Sequence, residues 1–192
     1  MARKKQKVKK EKGVEINDAP LSKRFIAYLI DWYIGALATA FPIAVISQKL
    51  NGTMLNQDIT SFQEPYGMIG GVLALICACL YYIVVPMYVT KGQTLGKRIC
   101  KVKIVKDNNK DVDLLSLLLR QMVGIIIIEG TLVSASALWH QLFTMITGIE
   151  VVGILMYAGF VLTGASVLMV AFSKSHKAIH DYLGNTKVVC VE

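Results

Sequence analysis

The chain has 192 residues, of which 54% are hydrophobic and 18% charged, and 21 Lys+Arg against 13 Asp+Glu give a formal net charge of +8. Soluble domains carry about 25% charged residues, so this composition, with a mean hydropathy of +0.52, excludes a water-coated globule and a disordered chain alike. It argues equally against a soluble enzyme.

In chain order, residues 3–12 hold seven Lys/Arg and no aromatic. Such a run cannot bury a core, so residues 1–19 are predicted to be a disordered basic tail. Next to a membrane it is drawn to anionic lipid, at about 1 kcal/mol per basic residue near the surface. Nucleic acid fits the charge, but no base-reading module accompanies it, and none is expected as a partner.

Four apolar stretches follow, at about 25–46, 66–89, 121–138 and 151–172. About 20 helical residues cross a hydrocarbon core of roughly 30 Å, and no polar stripe interrupts these segments. They read as four transmembrane helices. The second and fourth have no charged residue, the first only Asp31 and the third only Glu129. Ala36-Leu37-Ala38 has the small-x-small form of a signal cleavage site, but the apolar run continues beyond it, which favours an uncleaved anchor.

Basic residues set the orientation. Of 21 Lys/Arg, 20 fall in the segments before, between and after these helices that share one side; Lys49 alone is on the other. The positive-inside rule makes that side cytoplasmic, with both termini and the loop 90–120. Trp32, Trp139 and the Tyr81/Tyr82/Tyr88 group fit either interface anchors or packing between helices.

In the 90–120 loop, Gly92-Gln-Thr-Leu-Gly-Lys-Arg98 has the wrong glycine spacing for a phosphate loop and Arg where Ser or Thr would hold Mg²⁺. Lys101-Val-Lys-Ile-Val-Lys106 alternates like a strand and precedes the turn residues Asp107-Asn-Asn-Lys110. Thr186-Lys-Val-Val-Cys-Val191 is similarly β-prone, and the two runs are expected to pair into a small cytoplasmic sheet. The four cysteines are scattered, with Cys77 and Cys79 in the second span and Cys100 and Cys190 outside it, so they suggest neither a disulfide framework nor a metal site. His176 and His180 share a face at i and i+4 if helical, but a third metal ligand is awkward to supply. No metal and no cofactor is expected.

Ionisable residues in the membrane are the informative ones, since an Asp at a helix centre costs about 2.5–3.5 kcal/mol and normally has a partner. Asp31 is about 9 Å into the first span, and Arg24 is two turns earlier on the same stripe. Glu129 is roughly 13 Å past Arg120, near the midplane. One reading is proton or cation handling by Asp31 and Glu129. The other is a polar clasp, with Asp31 satisfied by Arg24, Arg120 or a hydroxyl. Gly67, Gly70 and Gly71 in the second span and Gly153, Gly159 and Gly164 in the fourth allow close helix approach; Pro42 and Pro86 are kink positions.

Three motifs in order carry a resemblance. Pro20-Leu-Ser-Lys-Arg24-Phe-Ile-Ala-Tyr-Leu-Ile-Asp31, then Gly92 to Arg98 with Leu119-Arg120, then His180-Asp181-Tyr-Leu-Gly-Asn-Thr-Lys-Val-Val189 resemble the RDD family of bacterial membrane proteins. The likeness covers 20–191, with Gly184 where that family usually has Ala. It implies that Arg24, Asp31 and Asp181 are signature residues, that Asp181 folds back to meet Arg24, and that a cation/proton antiport activity reported for some members is an expectation here. Glu129 matches no family motif.

The expected fold is therefore an all-α membrane protein with four transmembrane helices, N and C termini cytoplasmic and a small cytoplasmic β element; residues 20–192 form the membrane domain. The expected function is a monovalent cation (Na⁺, Li⁺ or K⁺)/proton exchanger in a multi-pass cell-membrane protein, with Asp31 as the proton- and cation-binding carboxylate and Arg24 as its counter-charge, within a charge network of Arg24, Asp31, Asp181, Glu129 and Arg120, and with a homo-oligomer as its working form. The alternative is a non-transporting accessory protein of a membrane complex. No enzyme is expected, because no nucleophile–base pair or cofactor loop is visible.

Overall fold

The computed structural model describes residues 17–130 and 133–191; the basic run at 3–12 lies outside them. Helix α1, Leu21–Asn51, begins after Pro20 and ends where Gly52, at φ 70°, turns its N–H back to the Gln48 carbonyl. That is the left-handed stop that glycine takes without steric cost. A single 3₁₀ turn, Ile59–Ser61, leads to α2, Tyr66–Val89, whose second half from Leu80 widens to π-helical bonding around Pro86. A short α3, Leu95–Ile99, and strand β1, Val102–Lys106, follow. Then come α4, Leu114–Ile128, also π-helical from Leu118, α5, Ser134–Thr147, and α6, Val152–Phe172. The short α7, Ile179–Leu183, and strand β2, Thr186–Cys190, complete the described chain.

Among the described residues, three helices, α1, α2 and α6, are long and apolar enough to cross a membrane. The third predicted stretch, 121–138, is not one helix. Its ladder stops at Ile128, where Glu129 and Gly130 leave the helix, and α5 starts afresh at Ser134. The freed end is satisfied from the side: the Ile126 carbonyl accepts the Ser136 hydroxyl at 2.8 Å and the Trp139 indole N–H at 3.0 Å. Backbone groups freed at a buried helix break require such substitutes. α5 runs on to Thr147, which leaves only residues 148–151 as the link to α6.

The expected strand pairing holds. β1 and β2 are antiparallel, with Val102 opposite Cys190 and Ile104 opposite Val188. Residues 17–19 run along the other edge of β2, where Ala19 N–H bonds Val188 and Cys190 N–H bonds Asn17. The start of α1, the middle loop and the chain end are thereby gathered at one end of the bundle. At the opposite end Ile43, Ile59, Phe62, Ala74, Leu138 and Leu142 form an apolar core. Gly67 lets α2 lie against the Ile59 carbonyl there, whereas Gly153 and Gly164 face open space and bring no helix close. Helix α6 packs mainly on α5, and only 11% of its apolar window is buried.

Candidate functional site

Asp31, in the third turn of α1, is 3% exposed and meets donors on every side. Its Oδ1 accepts the Tyr81 hydroxyl at 2.7 Å and the Gly96 N–H at 2.8 Å. Its Oδ2 accepts the Lys97 ammonium at 2.8 Å and the Thr94 hydroxyl. Two of these elements reach Asp31 for local reasons. Gly96 has no Cβ, which would stand 2.8 Å from Asp31 Oδ1 and collide with the Ala27 carbonyl, so α3 can lie directly on α1. Gly35 likewise leaves room for the Tyr82 hydroxyl, which donates to the Asp31 carbonyl at 3.1 Å. A carboxylate that accepts only, with its pair completed by hydroxyl and amide donors, is the form in which a buried ion pair is tolerated.

Asp181 on α7 is fully buried. Arg24 Nη2 reaches its Oδ2 at 2.8 Å, Arg120 Nη1 bonds its Oδ1, and the Ala178 N–H donates to Oδ2 at 3.0 Å. Arg120 also donates to the Thr186 hydroxyl at 2.7 Å, which links the pair to β2. Burial pushes the Asp181 carboxyl up, but the charges of Arg120, His180 and Arg24 outweigh it and hold the group well below the usual carboxylate range. Among the described residues, Arg120 Nε is the buried side-chain polar atom left without a partner.

Glu129 is bound differently. It sits where α4 ends, its Oε1 accepting the His180 N–H at 2.7 Å and its Oε2 lying 2.8 Å from His180 Nδ1. The Glu129 carbonyl accepts the Thr163 hydroxyl of α6, and Ser166 accepts the Ile179 N–H at 3.0 Å. Gly124 makes the approach of α7 feasible, since its Cβ would lie 2.8 Å from His180 Cα. The segment after α6 thus folds back beside α4 and α6, with Glu129 and His180 on the wall of a cavity of about 380 Å³ between α1, α4, α6 and α7.

The five charged residues singled out from sequence therefore form two shells. Arg24, Arg120 and Asp181 come together, with Glu129 attached through His180; Asp31 stands apart with Lys97. The contact considered between Arg24 and Asp31 is not made, because Arg24 is spent on Asp181 and the His176 carbonyl. Thr94, Gly96 and Lys97 were legible only as part of a motif, and their partner was hidden because α3 returns to α1 from more than 60 residues away. Tyr81 and Tyr82 prove to be packing residues, both 7% exposed. His176 and His180 do not share a helix, since α7 begins at Ile179. All four cysteines are free, and no cluster of three His, Cys, Asp or Glu side chains occurs among the described residues.

No curated protein and no solved structure matches the chain. A family model does, that of the RDD family, over residues 19–185, which takes in both shells, the first two sequence motifs and the third as far as Asn185. The family is typically a multi-pass membrane domain, in keeping with the long apolar helices. On that match, and on the meeting of Arg24 with Asp181 that the motifs implied, this chain belongs to the RDD family of membrane proteins.

Proposed function

We infer that the protein exchanges monovalent cations for protons, and that Glu129 with His180 handles the proton while Asp31 and Asp181 hold helices together. One observation carries this reading: Glu129 pairs principally with an imidazole, at a helix break on the cavity wall. Histidine is the residue type that changes charge between pH 5 and 8. The groups facing the pair are Arg24 and Tyr28 from α1, Arg120 on α4, Asp181 on α7 and Lys97 across the cavity. The set holds three cations, Arg24, Arg120 and Lys97, against the two carboxylates of Glu129 and Asp181, and one proton leaving the Glu129–His180 pair as one cation arrives keeps its net charge unchanged.

In this reading α4 and α5 cross together as a discontinuous fourth span. α4 starts beside the sheet, and α5 reaches the Ile59 end, where Gln141 accepts the Ile59 N–H at 3.3 Å. Broken spans that meet a cavity at mid-depth are how carriers expose backbone safely. The sheet end faces the cytoplasm because the basic residues gather there. A bundle this thin works as a homo-oligomer, and the basic tail rests on anionic lipid.

A second reading is supported by the completed shells of Asp31 and Asp181: an accessory protein that moves nothing and steadies a membrane complex. Proteoliposomes holding a pH gradient separate the two. Exchange gives dissipation on adding Na⁺, K⁺ or Li⁺, lost in Glu129→Gln. Well-folded protein that moves no protons with any of the three cations, across several pH values, overturns it in favour of the accessory role.

A further inference from the structure

We propose that the cavity between α1 and α6 is a binding site for an anionic phospholipid, its phosphate at Arg24, Lys97 and Arg120 and one acyl chain running inward toward Val133. Helices α1 and α6 do not close on each other here. Phe25 and Val167 on the rim are 62% and 60% exposed, so the cavity opens sideways into the surrounding bilayer. Its walls are largely apolar, and a void of this kind leaves its lining without dispersion partners unless something apolar fills it.

Depth and charge choose the occupant. The lining runs along α6 from Ala171, in its last turn, to Thr163, a rise of about 12 Å. The outer end lies by the first turn of α1, at the level where head groups sit beside a span that begins at Leu21. Three cations line the cavity against one carboxylate, Glu129, which is already engaged by His180. Their counter-ions Asp31 and Asp181 stand behind them, and neither lines the space. Arg24 spends two of five N–H donors on its bonds to Asp181 and the His176 carbonyl, and Arg120 keeps its buried Nε unpartnered. Arginine donors beside an apolar slot fit a phosphate diester carrying hydrocarbon tails.

This site shares the cavity that Glu129 and His180 face, but it is measured without cation flux, so its failure and that of the exchange reading are distinguishable. The full chain in vesicles of phosphatidylcholine with a minor fraction of phosphatidylglycerol, its acyl chain bearing a photoactivatable diazirine, is irradiated and mapped by mass spectrometry. Expected are adducts on Phe25, Ile125, Val133 and Val167, about tenfold fewer with the matching phosphatidylcholine probe. Val167→Trp fills the slot and removes them, and glycerol phosphate in the water does not compete. Adducts confined to outward faces, no head-group preference, or displacement by glycerol phosphate each overturn the proposal. The mapping on the native chain stands even if Val167→Trp fails to fold.

Discussion

Asp31 and Glu129 are both acids inside an apolar bundle, yet their surroundings are opposite. Asp31 has four donors, from α2, α3 and Thr94 just before α3, among them a lysine, and every lone pair it offers is used. Glu129 has a histidine, a helix break and a cavity. Asp181 belongs with Asp31, gripped by two arginines. The difference teaches that the motif acids Asp31 and Asp181 are held in ion pairs that tie α1 to α3 and α1 to α4 and α7, while Glu129, which matched no motif, pairs with the imidazole of the motif residue His180.

The largest way to strain this division is Asp181→Asn. It leaves Arg24 and Arg120 buried without their counter-charge and should cost about 3–5 kcal/mol, read as a fall in thermal unfolding temperature in detergent. A cost no larger than that of a surface substitution would deny Asp181 its pinning role. Next is Gly96→Ala, which drives a methyl into the Ala27 carbonyl and Asp31. Its expected cost is about 1–3 kcal/mol, with protease access at 91–101 increasing as α3 lifts from α1.

Smaller still is the exposed Lys177–Asp107 pair, at 2.6 Å but with Asp107 45% exposed. Lys177→Ala should lower stability by about 0.2–1 kcal/mol, an effect that fades in high salt. The smallest expectation is a flat line. Asp181 has its carboxyl held low, so its contribution is complete above the unfolded range near about 3.9 and is lost as pH falls through the lowered folded value. With the neighbouring imidazole removed by His180→Gln, stability owed to Asp181 should not change between pH 5 and 8, as equilibrium unfolding of that variant with and without Asp181→Asn would show by a constant difference.

Much of the fold was legible because it follows from local chemistry. Long apolar runs mark α1, α2 and α6, and alternation at 102–106 with β-prone residues at 186–190 marks the sheet. The break at Glu129 was not legible, because 121–138 is predominantly apolar and hydropathy cannot see where a helical ladder stops. Ser134 and Ser136, hydroxyls within that run, were the available signal. In the site, Arg24 with Asp181 was anticipated from motif order. Lys97 with Asp31 was not, since two turns of helix made Arg24 look like the nearer partner while the real one arrives through tertiary packing.

The most direct test compares two single substitutions in proteoliposomes at matched amounts of folded protein. Cation-driven loss of a pH gradient is followed for the native chain, Asp31→Asn and Glu129→Gln. On this account Asp31→Asn is less stable but still exchanges per folded molecule, and Glu129→Gln folds and does not. Exchange that survives Glu129→Gln and disappears in folded Asp31→Asn would contradict it.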